Sequence, residues 1–132
     1  MKEEIFKSDR YFTLFDIVVS HGQLLIRSQK NEENKNNIDV VFFNTVYIQI
    51  FNRLDSIQIS RIVEKTDIIH YNTVANYLNY HNNHLFEIES NNEKYYVAAS
   101  FVRVFENKLE FNESSLKIEK GREIEMATSL TS

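Results

Sequence analysis

A chain of 132 residues falls within the usual size of one domain and is long enough to close one hydrophobic core. It contains no cysteine, which excludes a disulfide framework, a thiolate zinc site and a cysteine nucleophile, and its formal net charge of −4 argues against a dedicated nucleic-acid-binding protein. Apolar residues make up 42% of the chain and aromatic residues 13%, so we expect residues 1–132 to fold as a single domain with a core rich in large rings.

The first residues of the chain do not resemble a signal peptide. Residues 1–9 carry acidic side chains and no long apolar run, which predicts a solvated lead-in. The uncharged stretch Val40–Asn52 is well short of the roughly 18 to 20 apolar residues that cross a bilayer. With the lack of cysteine, these features predict a cytoplasmic protein without a membrane span.

Two segments rich in β-forming residues, Tyr11–Ser20 and Gln23–Ser28, lie on either side of His21-Gly22. A two-residue loop with glycine second is typical of a type I′ turn, in which both central residues have positive φ. We therefore expect a β-hairpin here. Residues 29–37 contain no apolar side chain and predict a mobile, exposed loop.

The middle of the chain changes its hydrophobic period. Residues 38–51 are apolar on both alternations, which predicts a central strand, and Leu54–Val63 alternates as a half-buried strand does. Residues 66–81 instead place Leu78 and other apolar residues on one face of a helix, with Thr66 as the N-cap.

Three further strands are predicted at Leu85–Glu89, Lys94–Glu106 and Lys108–Asn112, with asparagine turns at 90–93 and at Asn107. Small residues at 98–100 leave room for something large to pack over the middle strand, and the helix is one candidate. Residues 116–132 predict an exposed C-terminal tail. The fold class expected is mainly β or α+β: a curved antiparallel sheet or a small barrel of about six strands, with one packed helix.

No catalytic or cofactor signature stands out. His81 and His84 form an H-x-x-H pair, which is a weak metal-binding pattern, and their position in a polar connector favours surface histidines without metal. Asp16 interrupts an apolar strand, and we expect it to face water at a bulge or to pair with Arg27 or Arg103 rather than to act as an acid or base. Two glycines in the chain exclude the glycine-rich nucleotide-binding loops. We therefore predict no catalytic residue, no metal and no cofactor.

The segment with the strongest functional signal is rich in tyrosine and asparagine. Tyrosine supplies rigid contact area and asparagine supplies adaptable hydrogen bonds, a combination common at recognition surfaces. The partner-binding residues predicted on this basis are Asn76, Tyr77, Asn79 and Tyr80. The alternative is that the asparagines line the solvated face of a helix.

The function expected from these features is a non-enzymatic protein-interaction domain, with an inhibitor or immunity-type protein that binds a basic partner as one version. The alternative is a small ligand-binding barrel or a hydrolase-like enzyme with an aromatic-lined cavity. A third alternative is self-association as a homodimer, because strands that are apolar on both faces can pair across a two-fold axis.

Overall fold

Nine β-strands form one antiparallel sheet in the computed structural model, which describes residues 2–64, 78 and 82–130. The strands are β1 (Lys2–Val18), β2 (Gln23–Ser28), β3 (Asn37–Phe43), β4 (Tyr47–Gln49), β5 (Arg53–Ile62), β6 (His84–Ser90), β7 (Glu93–Ala99), β8 (Phe101–Asn107) and β9 (Ile124–Thr128). Their order in the sheet is β4-β7-β6-β5-β1-β2-β3-β8-β9, so the protein is mainly β as predicted.

The sheet has more strands than the six predicted, partly because two long strands are bent. The predicted strand 38–51 is divided into β3 and β4 by residues 44–46, where Asn44 has a φ of 54°. The predicted strand 94–106 is divided into β7 and β8 at Ser100. The predicted helix over 66–81 lies outside the described residues, apart from Leu78.

Both ends of the chain contribute strands that the sequence did not indicate. The segment predicted as a lead-in is the first half of β1, which pairs with β5 from Lys2 onward. The segment predicted as an exposed tail contains β9, which pairs with β8. The strand predicted at 108–112 does not form, because Asn107 Oδ1 accepts a hydrogen bond from the Leu109 amide (3.2 Å) and turns the chain away from the sheet.

The two predicted tight turns are both present, with different geometry. Between β1 and β2 the turn has four residues, because a 3-10 turn at Val19–His21 precedes Gly22, and only Gly22 has a positive φ (60°). Between β6 and β7, Asn91 and Asn92 have φ angles of 51° and 65°, as a type I′ turn requires. Asparagine tolerates this left-handed conformation and so replaces glycine here.

The sheet is curved so strongly that distant strands share one core. Phe42 of β3 and Phe86 of β6 lie four positions apart in the strand order, which corresponds to roughly 19 Å in a flat sheet. Their ring centroids are only 5.7 Å apart. The inner face therefore encloses a single cluster of fully buried side chains, which includes Phe12, Leu24, Val40, Phe42, Ile59, Phe86, Ile88, Val97 and Val104.

The outer face is covered in two places. Leu78 packs against Leu85 and Ala98, as the small residues at 98–100 predicted, with Tyr47 and Tyr96 at the margin of this cluster. On the other side, Leu116 packs over Leu25, Val41 and Phe105 of β2, β3 and β8. Part of the predicted exposed tail is thus packed on the sheet. Within the described residues, no helix has the length and apolar character needed to cross a membrane.

Candidate functional site

The C-terminal covering segment, residues 109–122, is fastened to the sheet by a buried ion pair. Arg27 and Asp39 are directly opposite each other in the β2–β3 ladder, and both side chains are fully buried. Arg27 Nε donates to Asp39 Oδ1 at 2.6 Å and Nη2 donates to Oδ2 at 2.8 Å, in a two-pronged geometry that strengthens the pair. Asp39 Oδ2 also accepts from Asn107 Nδ2 (3.0 Å) and Ser115 Oγ (2.7 Å).

The hydrogen bonds of this cluster extend to the backbone of the covering segment. Arg27 Nη1 donates to the Glu113 carbonyl (2.7 Å), and Asn107 Nδ2 donates to the Gly121 carbonyl (3.1 Å). The Arg27 guanidinium also lies 4.1 Å from the centre of the Phe15 ring. The Asp39 carboxylate thus accepts four hydrogen bonds from three side chains. The cluster is therefore suited to anchoring the segment.

Asp16 lies at a β-bulge, as one of the predictions had it. The register of β1 against β2 shifts between Leu14 and Asp16, which turns the Asp16 side chain to the outer face. There it accepts hydrogen bonds from Ser114 Oγ and from its neighbour's amide, and Lys117 Nζ lies 3.7 Å away. The predicted pairing with Arg27 or Arg103 is wrong, because Arg27 binds Asp39 and Arg103 binds Glu125. Asp16 is another anchor for the covering segment.

His84 is the one member of the predicted H-x-x-H pair that the structure describes, since His81 is outside the described residues. It begins β6 and is partly buried on the sheet. Burial lowers its pKa below the ordinary value, nearby Arg61 lowers it further, and Glu3 acts in the opposite direction. Among the residues that the structure describes, no three His, Cys, Asp or Glu side chains lie close enough to hold a metal ion.

The predicted partner-binding residues Asn76, Tyr77, Asn79 and Tyr80 also lie outside the described residues. Leu78, within the same stretch of sequence, is described, and it belongs to the buried cluster against which Tyr47 of β4 and Tyr96 of β7 pack.

A surface that the sequence analysis missed lies at one end of the sheet. Three stretches without Asp, Glu, Lys or Arg meet there: residues 17–26, 40–52 and 95–102. The Thr45 amide donates to the Gly22 carbonyl (2.8 Å), the Val46 amide to the Ala98 carbonyl (2.9 Å), and the Ser100 amide to the Phe43 carbonyl (2.9 Å). We call this surface the uncharged end.

The uncharged end exposes an unusual amount of apolar side chain. The large apolar residues that it exposes are Ile17 (41%), Val19 (85%), Val46 (45%), Ile48 (40%) and Phe51 (58%). A cleft of about 370 Å³ lies among them, between the turn after β1 and the bend before β4. Gly22 lines this cleft, and a side chain at Gly22 would meet the Asn44 and Thr45 backbone at 3.2 Å. The glycine therefore allows the turn and the bend to pack closely.

Polar groups at the uncharged end are hydroxyls and amides. Ser20, His21, Asn44 and Thr45 line the cleft together with Val46. Thr45 Oγ1 is buried and has no hydrogen-bond partner among the described residues. A surface of this kind combines exposed apolar area with neutral hydrogen-bonding groups, which is the composition found at the centre of protein interfaces.

The other clefts lined by described residues have a different character. Their volumes are about 450, 530 and 650 Å³, and each includes acidic and basic side chains. The buried rings of Phe12, Phe42 and Phe86 line none of the four clefts. The inner aromatic residues are in contact with one another instead.

Comparison with known proteins returned no relative: no protein-family model, no curated protein and no solved structure matches this chain. Functional inference therefore rests on the strand arrangement and the surfaces described above.

The signal that could have revealed the uncharged end is present in the sequence. The Val40–Asn52 stretch is conspicuous for its lack of charge. The charge-free stretch at 95–102 has the same character. That the stretches form one surface depends on the strand order, which the sequence did not supply.

Proposed function

We propose that this protein is a non-enzymatic, cytoplasmic protein-interaction domain that binds its partner through the uncharged end. The observation that carries the proposal is the concentration of exposed apolar side chains where three charge-free stretches meet. Exposed apolar patches on soluble proteins mark interaction sites, and the centres of such sites are depleted of charged residues.

Several charged side chains elsewhere on the surface are engaged with one another. Ion pairs join Glu3 to Arg61 (2.8 Å) and Glu87 to Lys2 (3.0 Å), and Arg103 binds Glu125. Direct contact through the uncharged end is thus the better-supported mode of binding. The net charge of −4 would add long-range attraction for a basic partner, and this is the support for the inhibitor or immunity-type version of the proposal.

The predicted tyrosine and asparagine segment belongs to the same proposal. Leu78 belongs to a buried cluster with Leu85 and Ala98, and Tyr47 of β4 packs against this cluster, so Leu78 itself lies near the uncharged end. We propose that Tyr77 and Tyr80, with Asn76 and Asn79, extend the partner-binding surface from there.

The ligand-binding alternative has less support, because the inner rings pack against one another and line none of the described clefts. We also propose that the sheet closes around this core. The pairing of β3 with β8 continues through the bends into that of β4 with β7, and the Ser100–Phe43 and Val46–Ala98 hydrogen bonds join the two ladders. If β3 and β4 are counted as one strand and β7 and β8 as another, six strands, without β9, would surround the core as a small barrel.

The experiment that tests the proposed function is a comparative capture from the native host. Tagged wild-type protein would be compared with a Val46→Lys/Phe51→Lys variant, a Tyr77→Ala/Tyr80→Ala variant and the control Ile124→Lys, which changes a 58% exposed residue on β9. Circular dichroism and thermal unfolding would first establish that each variant is folded.

We expect wild type and Ile124→Lys to bind one protein in stoichiometric amount. That protein can be a different chain or a second copy of this one. The Val46→Lys/Phe51→Lys variant should lose it, because charges placed at an interface centre must be desolvated on binding. If the variant at the uncharged end captures the same proteins as wild type, the proposed site is wrong.

A further inference from the structure

We propose that the partner at the uncharged end is a second copy of this chain, bound edge to edge through β4. This inference rests on the proposed function and names its partner. Four features support a second copy: β4 has a free edge, that edge carries no charge or proline, the uncharged end avoids contact between like charges, and β4 can pair with its own copy in one antiparallel register.

The free edge belongs to β4, which lies at one end of the strand order and pairs only with β7 among the described strands. The Val46 amide donates to Ala98 of the segment that pairs with it. Because successive residues of a strand direct their backbone groups to opposite sides, half of the N–H and C=O groups of β4 point away from β7. These groups form a short template for another strand.

Proteins usually block such edges with charged side chains, proline or bulges. The opposite end of the sheet follows this rule, because β9 carries Glu125, which binds Arg103, and its register against β8 is shifted by a bulge. The β4 edge has neither of the first two features, since no charged residue and no proline occurs from Val40 to Asn52. An apolar edge without protection is consistent with an edge that another strand covers.

The uncharged end places no charged side chain of its own against a second copy. Each copy carries a net charge of −4, so contacts between charged faces of two copies bring like charges together. The uncharged end can meet its own copy without this penalty. An interface between identical patches about a two-fold axis requires each patch to be complementary to itself, and a neutral antiparallel strand meets that requirement.

The geometry also fixes the register. In an antiparallel pairing of two copies of β4 centred on the strand, Tyr47 of one copy pairs with Gln49 of the other, and the two Ile48 residues lie opposite each other on the two-fold axis. Their Cβ atoms would be about 4.5–5.5 Å apart. Ile48 is 40% exposed in the single chain, so this contact would remove apolar surface from water.

A three-residue strand alone is too small for a permanent dimer, because stable interfaces bury roughly 1,200–2,000 Å² in total. Val19 and Phe51 expose further apolar surface at the same end and would add to the contact. We therefore expect a reversible dimer with a dissociation constant in the micromolar range.

Disulfide trapping tests the register directly, because the chain has no cysteine of its own. Under mild oxidation Ile48→Cys should form a covalent dimer, while Met126→Cys, at a 44% exposed position on β9, should not. Sedimentation equilibrium of wild type from about 1 to 100 µM should show a monomer–dimer equilibrium. Ile48→Glu should weaken it by at least about tenfold through like charges at the axis, and Ile124→Glu should leave it unchanged.

The failures of this inference and of the proposed function can be told apart. A wild-type protein that stays monomeric across that range, or equal crosslinking of Ile48→Cys and Met126→Cys, overturns the dimer. If the capture experiment then finds a different protein that depends on Val46 and Phe51, the proposed function stands with another partner. If substitutions at the uncharged end change neither capture nor self-association, both proposals are wrong.

Discussion

Substitution of Asp39 by asparagine removes one charge from the buried pair and keeps the shape of the side chain. In the native protein the Asp39 carboxylate accepts two hydrogen bonds from Arg27, one from Asn107 and one from Ser115, at 2.6–3.0 Å. Asparagine has one acceptor oxygen and an amide that donates, so it cannot accept all four. The Arg27 guanidinium would then be left buried without its counter-charge.

The cost of this substitution follows from the burial of the pair. Removal of one partner from a buried ion pair destabilises a protein by about 3–5 kcal/mol, because the remaining charge is desolvated without compensation. That is a large share of the roughly 5–15 kcal/mol that holds a domain of this size folded. The melting temperature should fall by about 10–20 °C. The matched control is Glu125→Gln, since the Arg103–Glu125 pair is about one-third exposed and should contribute no more than about 1 kcal/mol.

Urea unfolding followed by circular dichroism at neutral pH measures both free energies of unfolding. Limited proteolysis adds a local readout, because weaker anchoring at Asp39 should expose residues 109–122 to cleavage before the sheet unfolds. If Asp39→Asn costs less than about 1 kcal/mol, or no more than Glu125→Gln, the buried pair does not hold the covering segment and the reasoning fails.

Three further predictions concern the turns, a titratable group and the core. Asn91→Ala and Asn92→Ala should each cost about 1–2 kcal/mol in urea unfolding, because both positions have positive φ, whereas Asn92→Gly should cost nothing; equal effects of alanine and glycine would contradict this. Burial lowers the pKa of His84, so protonation favours the unfolded chain, and the melting temperature of wild type should fall as the pH drops below about 6.5. His84→Gln should show a smaller fall, and an identical pH profile would refute the assignment. Phe42→Ala should cost about 3–5 kcal/mol by urea unfolding, and a loss below about 1 kcal/mol would show that this ring is not part of the shared core.

The parts of the fold that sequence predicted are those where the alternation of side chains is strong. The second half of β1 and all of β2, β5 and β6 carry apolar residues at the period of a strand, and there the predicted limits agree with the structure to within a few residues. The asparagine turn at Asn91 and Asn92 was predictable because few other residues tolerate positive φ at successive positions.

The strands that sequence missed are held by pairing rather than by their own composition. Residues 2–10 are mostly charged or polar, yet they form half of β1 because β5 supplies a partner for their backbone groups. Residues 124–128 become β9 in the same way against β8. Conversely, 108–112 has strand-like composition but is drawn into the covering segment by Asn107. Long-range pairing of this kind leaves little trace in a local sequence window.

The sequence shows the separate stretches that form the candidate site, but it does not show that they meet. The charge-free stretches can be read from the sequence, but their meeting depends on the bends after Phe43 and at Ser100 and on the strand order. The Arg27–Asp39 pair could not be predicted from the sequence either, because the two residues are opposite each other only in the register that the β2–β3 connection sets. A one-residue slip would place them on opposite faces of the sheet.

The distribution of charge over the two ends of the sheet gives the uncharged end its significance. At the β8–β9 side, Arg27, Asp39 and Arg103 are each matched by a partner, and the covering segment encloses the most costly of these groups. At the β4 side, Val46, Ile48 and Phe51 are apolar and exposed to solvent. Their exposed surface adds nothing to the core of the isolated protein and raises its risk of aggregation. A strand edge of that kind is stable in a soluble protein when another surface covers it. In the proposed dimer, the same lack of charge at β4 would allow two identical surfaces to meet there.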